Sequence, residues 1–362
     1  LKVETMNEKP AYQDQSAPVR AGEGLDEDRL AAYLGRQLGG NGPLAIEQFP
    51  CGHSNLTYRV TWSGRDMVLR RPPFGSKVKT AHDMGREYRV LSQLHSAYPL
   101  APRTIFYCAD AEVLGAPFYL MEPIRGVILR RDLPPETQLT PTMGRRLSEA
   151  FVDNLVRLHH LDYCKVGLGS LGKPQGYLER QLTGWIERYH VSATHDLRDV
   201  AYVSNWFREH LPAHSAGALI HNDYKYDNLV LDPDDLSHII GVLDWEMCTL
   251  GDPLSDLGTA LAYWANADDS EELQEIRSVP TTLPGMFTRT QLVHRYALAT
   301  SCDMREMVFY LAFARFKVAV IIQQIYYRFA QGLTNDARFA AMPRRVEVLV
   351  RASRHCIESG VI

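Results

Sequence analysis

No C-x-x-C pair and no Cys/His cluster at metal-binding spacing occurs among the six cysteines, Cys51, Cys108, Cys164, Cys248, Cys302 and Cys356. Their scatter excludes a zinc-finger or dithiol redox reading and leaves reduced thiols in a cytoplasm as the simplest one. An excess of charge of one sign is also missing. The net formal charge is only −4 over 362 residues, which gives no reason to expect nucleic acid or another polyanion as partner. The longest apolar stretch near the end, VAVII at 318–322, is flanked by Arg315, Lys317 and glutamines and reads as too short to span a bilayer. The N-terminus lacks the basic-then-apolar order of a signal peptide. There is no internal repeat and no low-complexity run.

What remains is a chain 45% hydrophobic, long enough to bury a large core in about two domains or lobes. Residues 1–24, which start on Leu and hold the first methionine at Met6, are polar and read as a mobile arm. Residues 25–38 read as a short amphipathic helix stopped by Gly39 and Gly40. A sheet-based lobe is expected over 25–122, a hinge at 123–126 and a mainly helical lobe over 127–362. Helical spacing of Leu147, Phe151, Leu155 and Leu158 predicts a helix over 142–160 under the central motif, and its His159 and His160 read as capping or packing residues. Further helices are expected over 176–191, 200–211 and 304–331.

The chemistry concentrates in LIHNDYKYDNLVLD at 219–232, followed by IIGVLDWE at 239–246. His221, Asp223 and Asn228 fit H-x-D-x-x-x-x-N, in which the Asp orients an acceptor hydroxyl and the Asn binds a metal ion on nucleotide phosphates. Apolar residues on both sides, and the turn at Asp232, Pro233 and Asp234, place the loop between two short buried strands. A hairpin then returns Asp244 beside Asn228. Together these offer hard oxygen ligands of the kind Mg²⁺ takes, with positions left for phosphate and water. The ordinary reading is that Asp223 caps a turn and Asp244 a helix, but carboxylates beside apolar strands are costly to desolvate without a cation.

At these residues the chain resembles the aminoglycoside phosphotransferase and choline kinase superfamily, which shares the protein-kinase-like fold. It is similar to the branch holding stand-alone bacterial proteins labelled aminoglycoside phosphotransferases and domains attached to acyl-CoA dehydrogenases. The likeness runs from about Glu47 to the C-terminal helices. It implies an α+β bilobal fold: a small antiparallel-sheet N-lobe, a larger mainly helical C-lobe, and ATP with Mg²⁺ in the cleft between them.

Other parts of such a kinase can be sought in order. Phosphate cradling is expected from FPCGHSNLTYRV at 49–60, through Gly52, Ser54 and Asn55. Only one glycine is present, so the loop departs from G-x-G-x-x-G and an ordinary hairpin turn remains open. Where the family pattern places a phosphate-binding lysine, this chain has Arg70, which keeps the charge but is longer and planar; a solvated strand-end charge is the competing reading. Helical spacing over 83–95 leaves Glu87 facing the sheet as the mate of that cation, against the ordinary reading of an exposed helix Glu. Proline at 123 has no N–H, so adenine contacts would use the Glu122 carbonyl and the Ile124 N–H. Gly126 is expected to let the chain turn.

By resemblance Asp256 is the buried acid that braces the catalytic loop, Asp252 a turn or cap residue, and Lys225 a contact of the transferring phosphoryl group, unless it is a solvated loop lysine. Asp244 is followed by Trp245 and Glu246 with no glycine and no room for a peptide-binding activation segment, which points to small-molecule acceptors. An acidic cluster, Asp268, Asp269, Glu271, Glu272 and Glu275, suits a polycationic antibiotic, but Arg338, Arg344, Arg345, Arg351 and Arg354 conflict with it. Aromatic residues such as Tyr263, Trp264, Phe309 and Tyr310 are numerous enough to line an apolar acceptor pocket. The expectation is therefore an ATP- and Mg-dependent phosphotransferase acting on a hydroxyl of a metabolic small molecule, a hydroxyacyl thioester being favoured over an antibiotic. The alternatives are a pseudokinase or nucleotide-binding regulatory module, supported by Arg70 in place of lysine, and acyl or nucleotidyl transfer on the same scaffold.

Overall fold

The computed structural model describes residues 16–50, 55–75, 83–133, 139–213, 217–334 and 337–362. They form two compact units, one holding residues up to Ile128 together with 166–168 and 228–248, the other holding 129–165, 169–227 and 249–362.

The first unit is built on an antiparallel sheet of order β1-β2-β3-β5-β4, with β1 Leu44–Gln48, β2 Leu56–Trp62, β3 Arg65–Arg71, β4 Thr104–Cys108 and β5 Phe118–Met121. Trp62 pairs with Arg65, so β2 and β3 are joined by the two-residue turn Ser63-Gly64, both at positive φ as a tight hairpin requires. Alternation along β2 turns Tyr58 and Val60 onto a core with Met67, Leu69, Phe118 and Leu120. Helix α1 (Glu27–Leu38), capped by the Asp26 carboxylate on the Arg29 N–H, adds Leu30 and Leu34 to that core, and the short α3 (Ala111–Leu114) adds Val113 and Leu114. Of the expected arm, residues 16–24 are tied down: Ala17 bridges Gln48, the Gln48 side chain accepts from the Arg20 N–H, and the Tyr58 hydroxyl donates to the Glu23 carbonyl. Helix α2 (Met84–Leu94) buries Met84, Glu87, Val90, Leu91 and Leu94.

The same unit holds the hairpin of β7 (Leu229–Leu231) and β8 (Ile239–Val242), whose register pairs Leu229 with Val242. Val127 exchanges both backbone hydrogen bonds with Leu231 at 2.8 Å. Gly126, beside it, does not adopt a left-handed turn; it is needed because a Cβ there would collide with the Leu231 carbonyl oxygen. Gly126→Ala is accordingly expected to destabilise the fold by about 1–3 kcal/mol, read as a lower urea midpoint.

The second unit pairs β6 (Ala218–Ile220) with β9 (Thr249–Gly251) and is otherwise helical: α4 (Pro141–His159), α5 (Tyr177–Ser192), α6 (Arg198–Glu209), α7 (Pro253–Tyr263), α8 (Glu271–Ile276), α9 (Arg289–Thr300), α10 (Met307–Ala330) and α11 (Met342–Ser359). Helix α10 packs on α5, α7 and α11. It is apolar nearly all round between Met307 and Val320, as a helix buried on every side must be. The short VAVII run thus lies inside a 24-residue helix that, among the described residues, is the one long and apolar enough to cross a membrane by length and composition; most of that apolar stretch is buried within the protein.

The acidic and basic clusters, which conflict as sequence signals, are in part each other's partners. Helix α8 lies against α11, where Glu275 meets Arg344 at 3.0 Å and Glu272 meets Arg351 at 3.1 Å. Asp269 is gripped through both oxygens by the buried Arg289.

Candidate active site

In the first unit, β3 presents Arg70 toward α2 with only 7% of its surface exposed. A guanidinium this deep needs compensation. One nitrogen donates to Glu87 at 2.8 Å and another to Asp244 at 2.9 Å, while Glu246 lies 3.9 Å away. Burial works against the Arg70 charge, but the carboxylates of Glu87 and Asp244 outweigh it, so the cation is held firmly protonated. The solvated alternatives for Arg70 and Glu87 are thus replaced by a buried pair. Arg70→Ala would strand the almost fully buried Glu87, a loss of about 3–5 kcal/mol in urea unfolding, whereas Arg70→Lys should retain most of the stability.

Asp244 is placed by the β7–β8 hairpin. The Leu243 N–H donates to the Asn228 carbonyl at 2.8 Å, so Asn228 and Asp244 stand at the same end of the two strands. Asp244 adopts φ 66°, ψ 63°, a left-handed conformation that Asp tolerates better than most non-glycine residues, and its surroundings hold it there. They do so on both sides. Trp245 is wholly buried, donates to the Val242 carbonyl at 2.8 Å and meets the Tyr98 ring edge-on, and Arg86 of α2 donates to the backbone carbonyls of Glu246 and Cys248. Asn55 gives an amide hydrogen to Glu246 at 2.5 Å, while Gly52 and Ser54 lie outside the described residues. Glu122 and Ile124 follow β5; the Glu122 N–H donates to the Arg103 carbonyl, and the Ile124 side chain packs over Gly241. Among the described residues no group of three or more His, Cys, Asp and Glu could hold a metal. The Asn228 amide and the Asp244 carboxylate are nonetheless hard oxygen donors carrying one negative charge, a set that fits Mg²⁺ when phosphate and water complete its coordination.

In the second unit the loop after β6 hangs on Asp256 of α7. Its two oxygens accept the His221 and Asn222 N–H groups, each at 2.7 Å. Burial works to raise this fully buried carboxyl, but the hydrogen bond from His159, the nearby His221 and the two amides overcome it and hold it below its ordinary value. His159 is not a mere helix-end residue: its ring lies 3.1 Å from Asp256 and 2.7 Å from the Tyr296 hydroxyl. Asp252 is an N-cap, accepting the Leu254 N–H and the Tyr310 hydroxyl. Asn222 takes φ 66° and turns the chain into Asp223. Lys225 is no solvated lysine. Its ammonium sits 3.0 and 2.9 Å from the two Asp223 oxygens and 4.6 Å from the Tyr263 ring centre, and although burial works against its charge, Asp223 keeps it protonated. Sequence reasoning missed His159, Arg86 and Lys317. Only Lys317 carried a signal, as one of two cations, with Arg315, within the apolar run of α10.

A five-stranded antiparallel sheet with a buried cation–acid pair to its helix, and a mainly helical unit with an Asp-braced H-N-D loop, define a phosphotransferase of the protein-kinase-like class. The chain belongs to the phosphotransferase enzyme family APH, whose model matches residues 45–285. It is 33% identical over 324 residues to mouse acyl-CoA dehydrogenase family member 10, covering 88% of this chain and 30% of that protein. It is 32% identical to human acyl-CoA dehydrogenase family member 11, covering 85% and 40%. This chain thus spans well under half the length of those relatives. Among solved structures, an aminoglycoside phosphotransferase-like protein from Ralstonia eutropha JMP134 superposes with a TM-score of 0.77 at 28% identity, covering 93% of this chain and 99% of that one.

Proposed function

We propose that this chain moves the γ-phosphate of Mg-ATP to a hydroxyl of a small molecule. The observation that carries the reading is the joining of the buried Arg70 and Glu87 to the half-buried Asp244 in one ion-pair chain, with Asn228 at the same hairpin end as Asp244. A cation for phosphate oxygens, an acid that holds it and a pair of hard metal donors are the parts phosphoryl transfer uses for positioning and charge stabilisation. Bound Mg²⁺ would be held by Asn228 and Asp244 and would neutralise charge on the phosphates. Asp223 would orient the acceptor hydroxyl and take its proton late, and Lys225, already against Asp223, would meet the transferring group. Gly52, Ser54 and Asn55 would cradle phosphate, and the Glu122 carbonyl and Ile124 N–H would meet adenine.

The acceptor is argued from charge. Because Glu272, Glu275 and Asp269 are already paired with arginines, that acidic cluster offers little for a polycationic antibiotic. The relatives named as acyl-CoA dehydrogenase family members favour a hydroxyacyl thioester. A screen of hydroxyacyl thioesters, amino alcohols and aminoglycosides with Mg-ATP, followed by product mass, tests this. A gain of one phosphoryl unit on the thioester is the expected result, and phosphorylation of aminoglycosides alone would overturn the acceptor assignment. The Arg70–Asp244 contact favours one second reading, a nucleotide-binding regulatory module in which Asp244 stays with arginine and takes no metal. Nucleotide binding without Mg-dependence or turnover would select it.

A further inference from the structure

Lys317 lies in the middle of α10, which packs on α5, α7 and α11, and is 4% exposed. An ammonium so placed loses its hydration, and burial pushes it down to about 8, with the charges of Asp256 and Asp223 opposing the fall. The two carboxylates favour its charged form, and both atoms facing it are acceptors. The hydrogen bonds it makes are to one residue: Nζ lies 3.2 Å from the Asn222 carbonyl oxygen and 3.2 Å from its Oδ1, and 5.9 Å from the Trp185 ring centre. Asn222 is the left-handed residue immediately before Asp223. Its N–H is held by Asp256 and its Oδ1 also accepts the Tyr177 hydroxyl at 3.1 Å.

These contacts divide the work. Asp256 fixes the amide side of the turn, and Lys317 fixes the carbonyl side from the opposite helix. Asn tolerates the left-handed state better than most residues but does not require it, so an unbraced Asn222 would also sample ordinary φ, and the next side chain to swing would be Asp223. We infer that Lys317 is a positioning residue for phosphoryl transfer, its ammonium gripping both carbonyl oxygens of Asn222 so that the turn aims the Asp223 carboxylate. The inference rests on the phosphotransferase reading, and it concerns a residue acting through Asn222 rather than on substrate.

Lys317→Met separates positioning from mere packing. Exchanging a buried cation for an apolar side chain of similar length keeps the volume but removes the donor, so a packing role predicts unchanged turnover. The positioning role predicts that kcat for Mg-ATP hydrolysis, with water as acceptor and phosphate release as readout, falls about tenfold to a hundredfold while KM for Mg-ATP stays within about twofold. The same substitution in an Asp223→Asn background should change kcat by less than about twofold, because the group being aimed has already been altered. Amide hydrogen exchange at 221–223 should accelerate in Lys317→Met without a matching change in α10, a readout that needs no turnover. Lys317→Gln, which retains a neutral donor, should lose less and serves if the Met variant does not fold. Equal losses in both backgrounds, an unchanged kcat, or unchanged exchange at 221–223 would each overturn the inference while leaving the phosphotransferase reading standing. A wild-type chain that never turns over Mg-ATP defeats that reading, and this one with it.

Discussion

Asp223→Asn is expected to bind Mg-ATP nearly as well as the unaltered chain while turning over about a hundredfold more slowly, or worse. Phosphoryl transfer passes through a loose transition state, so the carboxylate need not strip a high-pKa alcohol of its proton early. The Lys225 ammonium lies against both Asp223 oxygens and so fixes the direction in which the carboxylate points, as a group that aims a hydroxyl requires. The amide of Asn keeps one acceptor oxygen but loses the charge that Lys225 and the late proton both need. Nucleotide titration beside single-turnover product formation checks the prediction. Near-normal turnover would remove Asp223 from the chemistry, and a parallel collapse in ATP affinity would make it a structural or metal-site residue.

Asp244→Ala is expected to abolish Mg-dependent nucleotide binding. The proposed donor set has a single carboxylate, and with it gone the neutral Asn228 amide retains too little negative charge to hold the ion on the phosphates. The fold should survive, because Arg70 keeps its bond to Glu87 and Trp245 keeps its buried place. Calorimetry with ATP in the presence and absence of Mg²⁺ reads the effect directly. Any affinity left should be independent of the metal and should depend on Arg70, whose cation is then freed from one of its two strong partners. An unchanged Mg-dependent affinity would refute the assignment.

The sequence and the structure agree best where chemistry and local pattern coincide. The hairpin that returns Asp244 beside Asn228 was legible because two short apolar runs flank turn residues, and Glu87 was legible because its helix has one buried face. Gly126 shows the limit: a glycine after a proline reads as a turn, yet its need arises from a carbonyl oxygen 105 positions further along the chain. The charge clusters show another. Acidic 268–275 and basic 338–354 look contradictory in isolation, and only the packing of α8 on α11 makes partners of Glu272 with Arg351 and of Glu275 with Arg344.

By itself the sequence determined the order of parts from Arg70 and Glu87 to the H-N-D loop and the D-W-E turn, because each rests on residue types at short spacing, which local geometry converts directly into a strand, a turn or a helix face. It also carried the family and with it the fold. The tertiary structure decided which charges are buried and with whom. A histidine at a helix end and an arginine on α2 are ordinary in sequence, and even a lysine in an apolar helix does not name its partner; within each unit they become braces only because residues far apart in the chain meet at hydrogen-bond distance: Lys317 on Asn222 and His159 on Asp256 in one, Arg86 on the turn after Asp244 in the other. It also grouped 228–248 with the sheet rather than with the helices that flank it in the chain, since strand pairing with Val127 and burial of Trp245 outweigh proximity along the backbone.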